Sequence, residues 1–169
     1  MAHVLAPRTF VRVFSLAIIA KSLGGTLPRP GAFSASDTAM LAAADAMIGK
    51  AREAMKSRQL HHVLNIVWAV VGDANRYFAG EAPWELAKTD PVRQGTVLYT
   101  TAEVIRQVAI LAQPFMPQAA ARLLDLVAVP PDRRDFAALG EGGRIGGGST
   151  LPPPTPVFPR YVEPEGAAS

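Results

Sequence analysis

The stretch from Gln59 to Gly80, QLHHVLNIVWAVVGDANRYFAG, places Leu60, Val63, Leu64, Val67, Val70, Val71, Ala74 and Tyr77 at steps of three and four. Residues so spaced lie on one side of an α-helix, so the run predicts a helix from about Gln59 to Phe78 with a single apolar stripe. Gly80 follows and can stop it. A strand would need alternation with a period of two, and that pattern is absent along the chain.

Reading outward towards the C-terminus, Glu81–Lys88 (EAPWELAK) begins a short helix. Pro83 suits its first position, where a missing N–H costs nothing, and Trp84 then falls in the first turn. Asp90-Pro91 opens the next helix, with Asp as cap and Pro first, and its stripe is Val97, Leu98, Thr101, Val104, Ile105, Val108 and Leu111. Pro114 and Pro117 end it. Pro117 starts another helix, whose face is Ala120, Leu123, Leu124 and Val127. Trp68 is expected to pack inside the bundle.

Towards the N-terminus, Val11 to Leu23 is apolar on most sides, as a buried helix would be, and Gly24-Gly25 ends it. Pro28 and Pro30 keep the following residues extended. Ser34 with Asp37 resembles a capping box, and behind it Met40, Ala44, Met47, Ile48, Ala51 and Met55 share one helical face. Glycine and proline dominate from Gly140 to Pro159, a composition that cannot supply a packed core. The fold class expected is all-α, a bundle of about five helices followed by an extended, loosely held Gly/Pro-rich tail over residues 140–169.

Composition bounds the function. With 169 residues, 49% hydrophobic and 18% charged, the chain can form one core without a metal or disulfide, and it has no cysteine. That excludes thiolate metal sites and fits a cytoplasmic location. The formal net charge of +3 is mildly basic. Its distribution is uneven: Arg8, Arg12, Lys21 and Arg29 stand without a carboxylate in residues 1–36, and Lys50, Arg52, Lys56 and Arg58 cluster around Glu53 alone. Such runs are most often solvated faces, and they also suit a polyanionic partner. Val13 to Ala20 only imitates a secretory signal, being short, interrupted by Ser15 and followed by no Ala-x-Ala site. No membrane partner is expected.

Catalytic patterns are missing. His61 and His62 are adjacent, so on a helix they point in different directions and cannot share a metal in the i, i+4 manner. Gly142 to Gly148 is glycine-rich, but it follows no strand, precedes no helix and lacks Lys-Ser/Thr, which argues against a phosphate loop. No G-x-S-x-G elbow occurs.

Asn75-Arg76-Tyr77-Phe78-Ala79-Gly80 running into EAPWELAK, with Gln113-Pro114-Phe115-Met116-Pro117 and Leu123-Leu124-Asp125-Leu126, resembles the helical anticodon-binding domain of bacterial methionyl-tRNA synthetase, a class I aminoacyl-tRNA synthetase. Pro156-Val157-Phe158-Pro159-Arg160 is similar to the segment that ends that domain's common core, and Ile19-Ala20-Lys21 before Gly24-Gly25 also fits. The resemblance covers about Ser15 to Tyr161. It divides the chain into a divergent segment 1–14, a helical anticodon-binding domain 15–139 and a C-terminal segment 140–169.

The family joins methionine to its tRNA using ATP. The H-x-G-H-like motif and K-M-S-K-S loop of its catalytic half do not occur here, so the chain is expected not to activate methionine by itself, and to hold no cofactor, ATP and metal included. The resemblance implies a tRNA with a CAU anticodon as partner, with a separate catalytic domain as a further one. It gives Trp84 the role of stacking on the first anticodon base, a cytosine, and places Pro83 in the same pocket. One departure stands out. The family's first helix carries an Asn and an Arg that help bind the anticodon, and those places hold Phe10 and Phe14. Residues 1–14 do not resemble the family, which is the pattern of a changed reading frame upstream. The rival readings are a non-functional or protein-interaction fragment of a disrupted synthetase gene and, more remotely, an exported helical protein.

Overall fold

One helix carries the core. In the computed structural model, which describes residues 25–153, 155 and 157, the 22-residue helix Pro91–Ala112 is buried at every position from Gln94 to Ala112. The described residues form six α-helices: α1 (Ala35–Asp45), α2 (Met47–Lys56), α3 (Leu60–Glu81), α4 (Pro83–Thr89), α5 (Pro91–Ala112) and α6 (Pro117–Leu126). Three single 3-10 turns follow, at Pro131–Arg133, Phe136–Ala138 and Glu141–Gly143. The architecture is all-α, as expected. The helix expected over Val11 to Leu23, together with Phe10 and Phe14, lies outside the described residues.

Helix α5 packs against α1, α3, α4 and α6. On one side Leu98, Tyr99, Ile105 and Ala109 meet Leu27, Leu123, Leu124 and Leu151. On the other, Val104, Val108 and Leu111 meet Met40, Met47, Val63, Val67 and Val70. This double coverage buries its polar residues too, and explains why every expected stripe position of α5 is buried while its neighbours along the chain are as well.

The local signals act largely as read. Ser34 and Asp37 form a complete capping box at the start of α1, Asp90 accepts from the Arg93 N–H at 2.9 Å, and Pro83, Pro91 and Pro117 open α4, α5 and α6. Four details differ. The helix expected through Met55 breaks at Ala46, where ψ of −15° tightens one turn, so α1 and α2 are separate. Helix α3 runs past Gly80 and stops at Ala82, which is left-handed (φ 43°, ψ 59°) because Pro83 cannot continue the helix and disfavours the α conformation before it. Met55 and Leu60, both assigned to buried stripes, are 47% and 55% exposed, because they line an open groove between α2, α3 and the Pro114-Phe115 turn rather than a closed core. Trp68, expected in the core, is 41% exposed. Val67, Val70, Val71 and Ala74 define the inward face of α3, and the residue after Val67 is turned about 100° away from it.

The described part of the C-terminal segment carries no α-helix, only the single 3-10 turn at Glu141–Gly143, and it is tied down. Leu27 N–H donates to the Ser149 carbonyl (2.8 Å), Gly148 N–H to the Leu27 carbonyl (2.7 Å) and Leu151 N–H to the Gly25 carbonyl (2.7 Å). Tyr99 hydroxyl donates to the Ile145 carbonyl at 2.8 Å. The glycines serve close approach: a Cβ at Gly143 would stand 1.8 Å from the Ala138 carbonyl oxygen, and one at Gly147 would stand 2.6 Å from Arg29 Cα.

Candidate functional site

The corner Ala82-Pro83-Trp84 joins the end of α3 to the start of α4 and lies beside the first turns of α1 and α5. Pro83 is buried, and its carbonyl oxygen accepts from the side-chain amide of Gln94, a buried residue in the first turn of α5, at 3.0 Å. Trp84 is 47% exposed. Its ring meets Phe78 edge-on, with centroids 6.1 Å apart and planes at 61°. Phe78 in turn packs on the core that contains Leu98 and Tyr99. An aromatic held against a neighbouring ring and half exposed can receive a flat partner without first being ordered.

Beneath the corner lies a charged cluster that locks three helix ends together. Asp37, fully buried in α1, takes both Nη atoms of Arg93 from α5, one of them at 2.9 Å from Oδ1. The same guanidinium reaches Glu81 Oε2 at the end of α3 at 2.7 Å and Ser34 Oγ at 3.2 Å. Ser36 hydroxyl donates to Glu81 Oε1 at 2.7 Å, and Tyr77 hydroxyl donates to Asp37. Burial alone would raise the Asp37 pKa; hydrogen bonds from Arg93, Tyr77 and Ser34 outweigh it and lower it from 3.8. Burial, and then the Asp37 carboxylate, push the Tyr77 phenol upward, so it remains a donor. The Asp37 contact, against the opposing cost of burial, raises Arg93.

The structure therefore brings the two expected site residues together and surrounds them with Phe78, Asp37, Glu81, Arg93 and Gln94, to which sequence reasoning assigned no role at this site. Asp37 is visible as a cap, and Arg93 and Gln94 as first-turn residues after Asp90-Pro91. Nothing local reveals that they converge, since Arg93 and Asp37 are 56 positions apart.

Elsewhere the described residues contain no group of three or more His, Asp or Glu side chains that could hold a metal. His61 and His62 stand with ring centroids 6.4 Å apart at the exposed start of α3. No described helix is long and apolar enough to cross a membrane.

Residues 27–158 match the family model described as the anticodon binding domain of methionyl tRNA ligase. The chain is 60% identical over 151 residues to the methionine–tRNA ligase of Rhizobium meliloti (strain 1021), covering 89% of this chain and 29% of that protein. It is 44% identical over 155 residues to the methionine–tRNA ligase of Mycobacterium tuberculosis (strain ATCC 25618 / H37Rv), covering 89% and 30%. The crystal structure of Mycobacterium tuberculosis methionyl-tRNA synthetase bound by methionyl-adenylate superposes with a TM-score of 0.86 at 41% identity, over 90% of this chain and 31% of that one. The chain thus spans about three-tenths of the length of these relatives.

Proposed function

The chain belongs to the family of methionyl-tRNA ligase anticodon-binding domains, and on that premise we propose that it binds tRNA carrying a CAU anticodon, with Trp84 stacking on the first anticodon base and Pro83 forming the adjoining wall. The observation that carries the reading is the half-exposed Trp84 ring on a corner fixed by Phe78 and Gln94. Sequence-specific RNA reading acts on splayed loop bases stacked on aromatic side chains, and each such stack is worth about 1–3 kcal/mol.

The chain acts as a binding module. Methionine activation and its ATP belong, in this reading, to a catalytic portion such as the longer relatives carry, and the working compartment is the cytoplasm. Binding is weak, because Phe10 and Phe14 occupy the places of two polar anticodon contacts.

The test is titration of the chain into fluorophore-labelled CAU-anticodon tRNA, followed by anisotropy, a signal that does not depend on Trp84. Trp84→Ala should weaken binding about 5- to 150-fold, the equivalent of one lost stack, while Trp84→Phe retains most of it. Rising salt should weaken all variants alike. Equal affinity for tRNAs with unrelated anticodons, or no loss in Trp84→Ala, would overturn the assignment.

A further inference from the structure

The end of the bundle opposite Trp84 carries a second surface. Helix α3 has 22 residues, so its two ends are roughly 33 Å apart. At its N-terminal end a groove of about 480 Å³ opens between α2, α3, the end of α5 and the Pro114-Phe115 turn. Among the described residues seven large hydrophobic side chains are exposed, and three of them, Met55, Leu60 and Phe136, come together here. Isolated exposed apolar residues need no explanation, but several sharing one concave site do.

We propose that this groove is a docking surface for an amphipathic helix of a partner protein, with an apolar stripe flanked by carboxylates. The wall from Ile48 to Lys56 runs along one face of α2, roughly 12 Å, or two turns of a docked helix inserting side chains at i, i+3/i+4 and i+7. The floor is aliphatic and aromatic. The rim is basic: Arg52 and Lys56 line the groove, within the run Lys50, Arg52, Lys56, Arg58. Among the described residues Arg52 forms no ion pair, and Lys56 meets only Glu53, at 2.8 Å, with both side chains over 70% exposed. Acidic flanks would complete that rim. A second copy would set basic rim against basic rim, which opposes self-association, and a largely aliphatic floor offers bases few faces on which to stack.

The experiment uses the whole chain and a labelled helical peptide of roughly 18 residues, five turns, with a leucine stripe flanked by glutamates; a control peptide has lysines in their place. The glutamate peptide should bind saturably, more weakly as salt rises. Leu60→Glu and Arg52→Glu should each cost about tenfold or more, as anchor and rim changes do, and the lysine peptide should bind at least as much more weakly. Both positions are exposed, so the variants should keep their helical circular dichroism; if Leu60→Glu unfolds, Arg52→Glu decides. Absence of saturable binding, equal binding of the two peptides, or wild-type affinity in a folded Arg52→Glu variant overturns the proposal. So does dimerisation abolished by Leu60→Glu, or displacement of the peptide by oligouridine.

Discussion

The side-chain amide of Gln94 donates to the carbonyl oxygen of Pro83 at 3.0 Å, and both residues are buried. This bond fixes the peptide immediately before Trp84 to the central helix, so the orientation of the exposed indole depends on a residue that never reaches solvent. Gln94→Leu would remove this bond and leave the carbonyl only its helical one, at a cost of about 0.5–1.5 kcal/mol. Binding of CAU-anticodon tRNA should fall in Gln94→Leu by more than in a core variant of equal stability loss far from the corner, such as Val63→Ala. Urea denaturation and tRNA titration on the same samples separate the two effects.

The Asp37 carboxylate gives the fold an acid limit. Its pKa is lower folded than the ordinary 3.8, so the native state favours the charged form. That stability is fully present above the ordinary value and drains away as pH falls through the lower, folded one. Asp37→Ala should cost about 1–3 kcal/mol at neutral pH, because the Tyr77 hydroxyl loses its acceptor and the part-buried Arg93 guanidinium keeps only one carboxylate, Glu81. Asp37→Asn should cost less and flatten the pH dependence below pH 3.8. Urea midpoints measured from pH 2.5 to 7 check both.

What the sequence shows and what it hides divide along one physical line. The inward face of α3, the caps at Ser34 and Asp90 and the proline starts are legible because periodicity and capping are local. Trp68 follows Val67 by one residue, so the same periodicity turns it outward, where it stands 41% exposed. The Arg93–Asp37 and Gln94–Pro83 contacts could not be read, since each depends on which helix ends converge. The glycine-rich segment shows the same limit: its composition reads as loose, yet Gly143 and Gly147 sit where the backbone passes too close to another chain segment for a side chain. Trp84 and Pro83 came from the motif they share with a family, not from any pattern of burial.

Ala82 offers a test by improvement. It is left-handed at φ 43°, a conformation that costs an L-residue roughly 1–2 kcal/mol and glycine almost nothing. Glycine gives part of that back through its greater freedom when unfolded, of order 0.5–1 kcal/mol. Ala82→Gly should therefore raise stability by up to about 1 kcal/mol, and Ala82→Val should lower it. The thermal midpoint is the measurement.

Glu103 and Arg106 form an ion pair with both side chains at most 1% exposed. The pair is a hub for the C-terminal segment: Arg106 donates to the Ala138 carbonyl at 2.6 Å, Ile145 N–H donates to Glu103 at 3.2 Å, and Gln107 links Glu103 to Asp45, which also pairs with Arg144 at 2.9 Å. Removing one member strands a buried charge, so Arg106→Leu should cost about 3–5 kcal/mol. Replacing both members removes the stranded charge, so Glu103→Leu/Arg106→Leu should be less destabilised than Arg106→Leu alone. Arg106→Leu loses the clamp on Ala138 and the double variant loses the one on Ile145 as well, so limited proteolysis between Gly140 and Gly148 should be faster in the single variant than in the parent and faster still in the double. A double variant as unstable as the single would mean that the stranded charge is not the cost, and a segment as protected as before would mean that the pair stabilises the bundle without holding the segment.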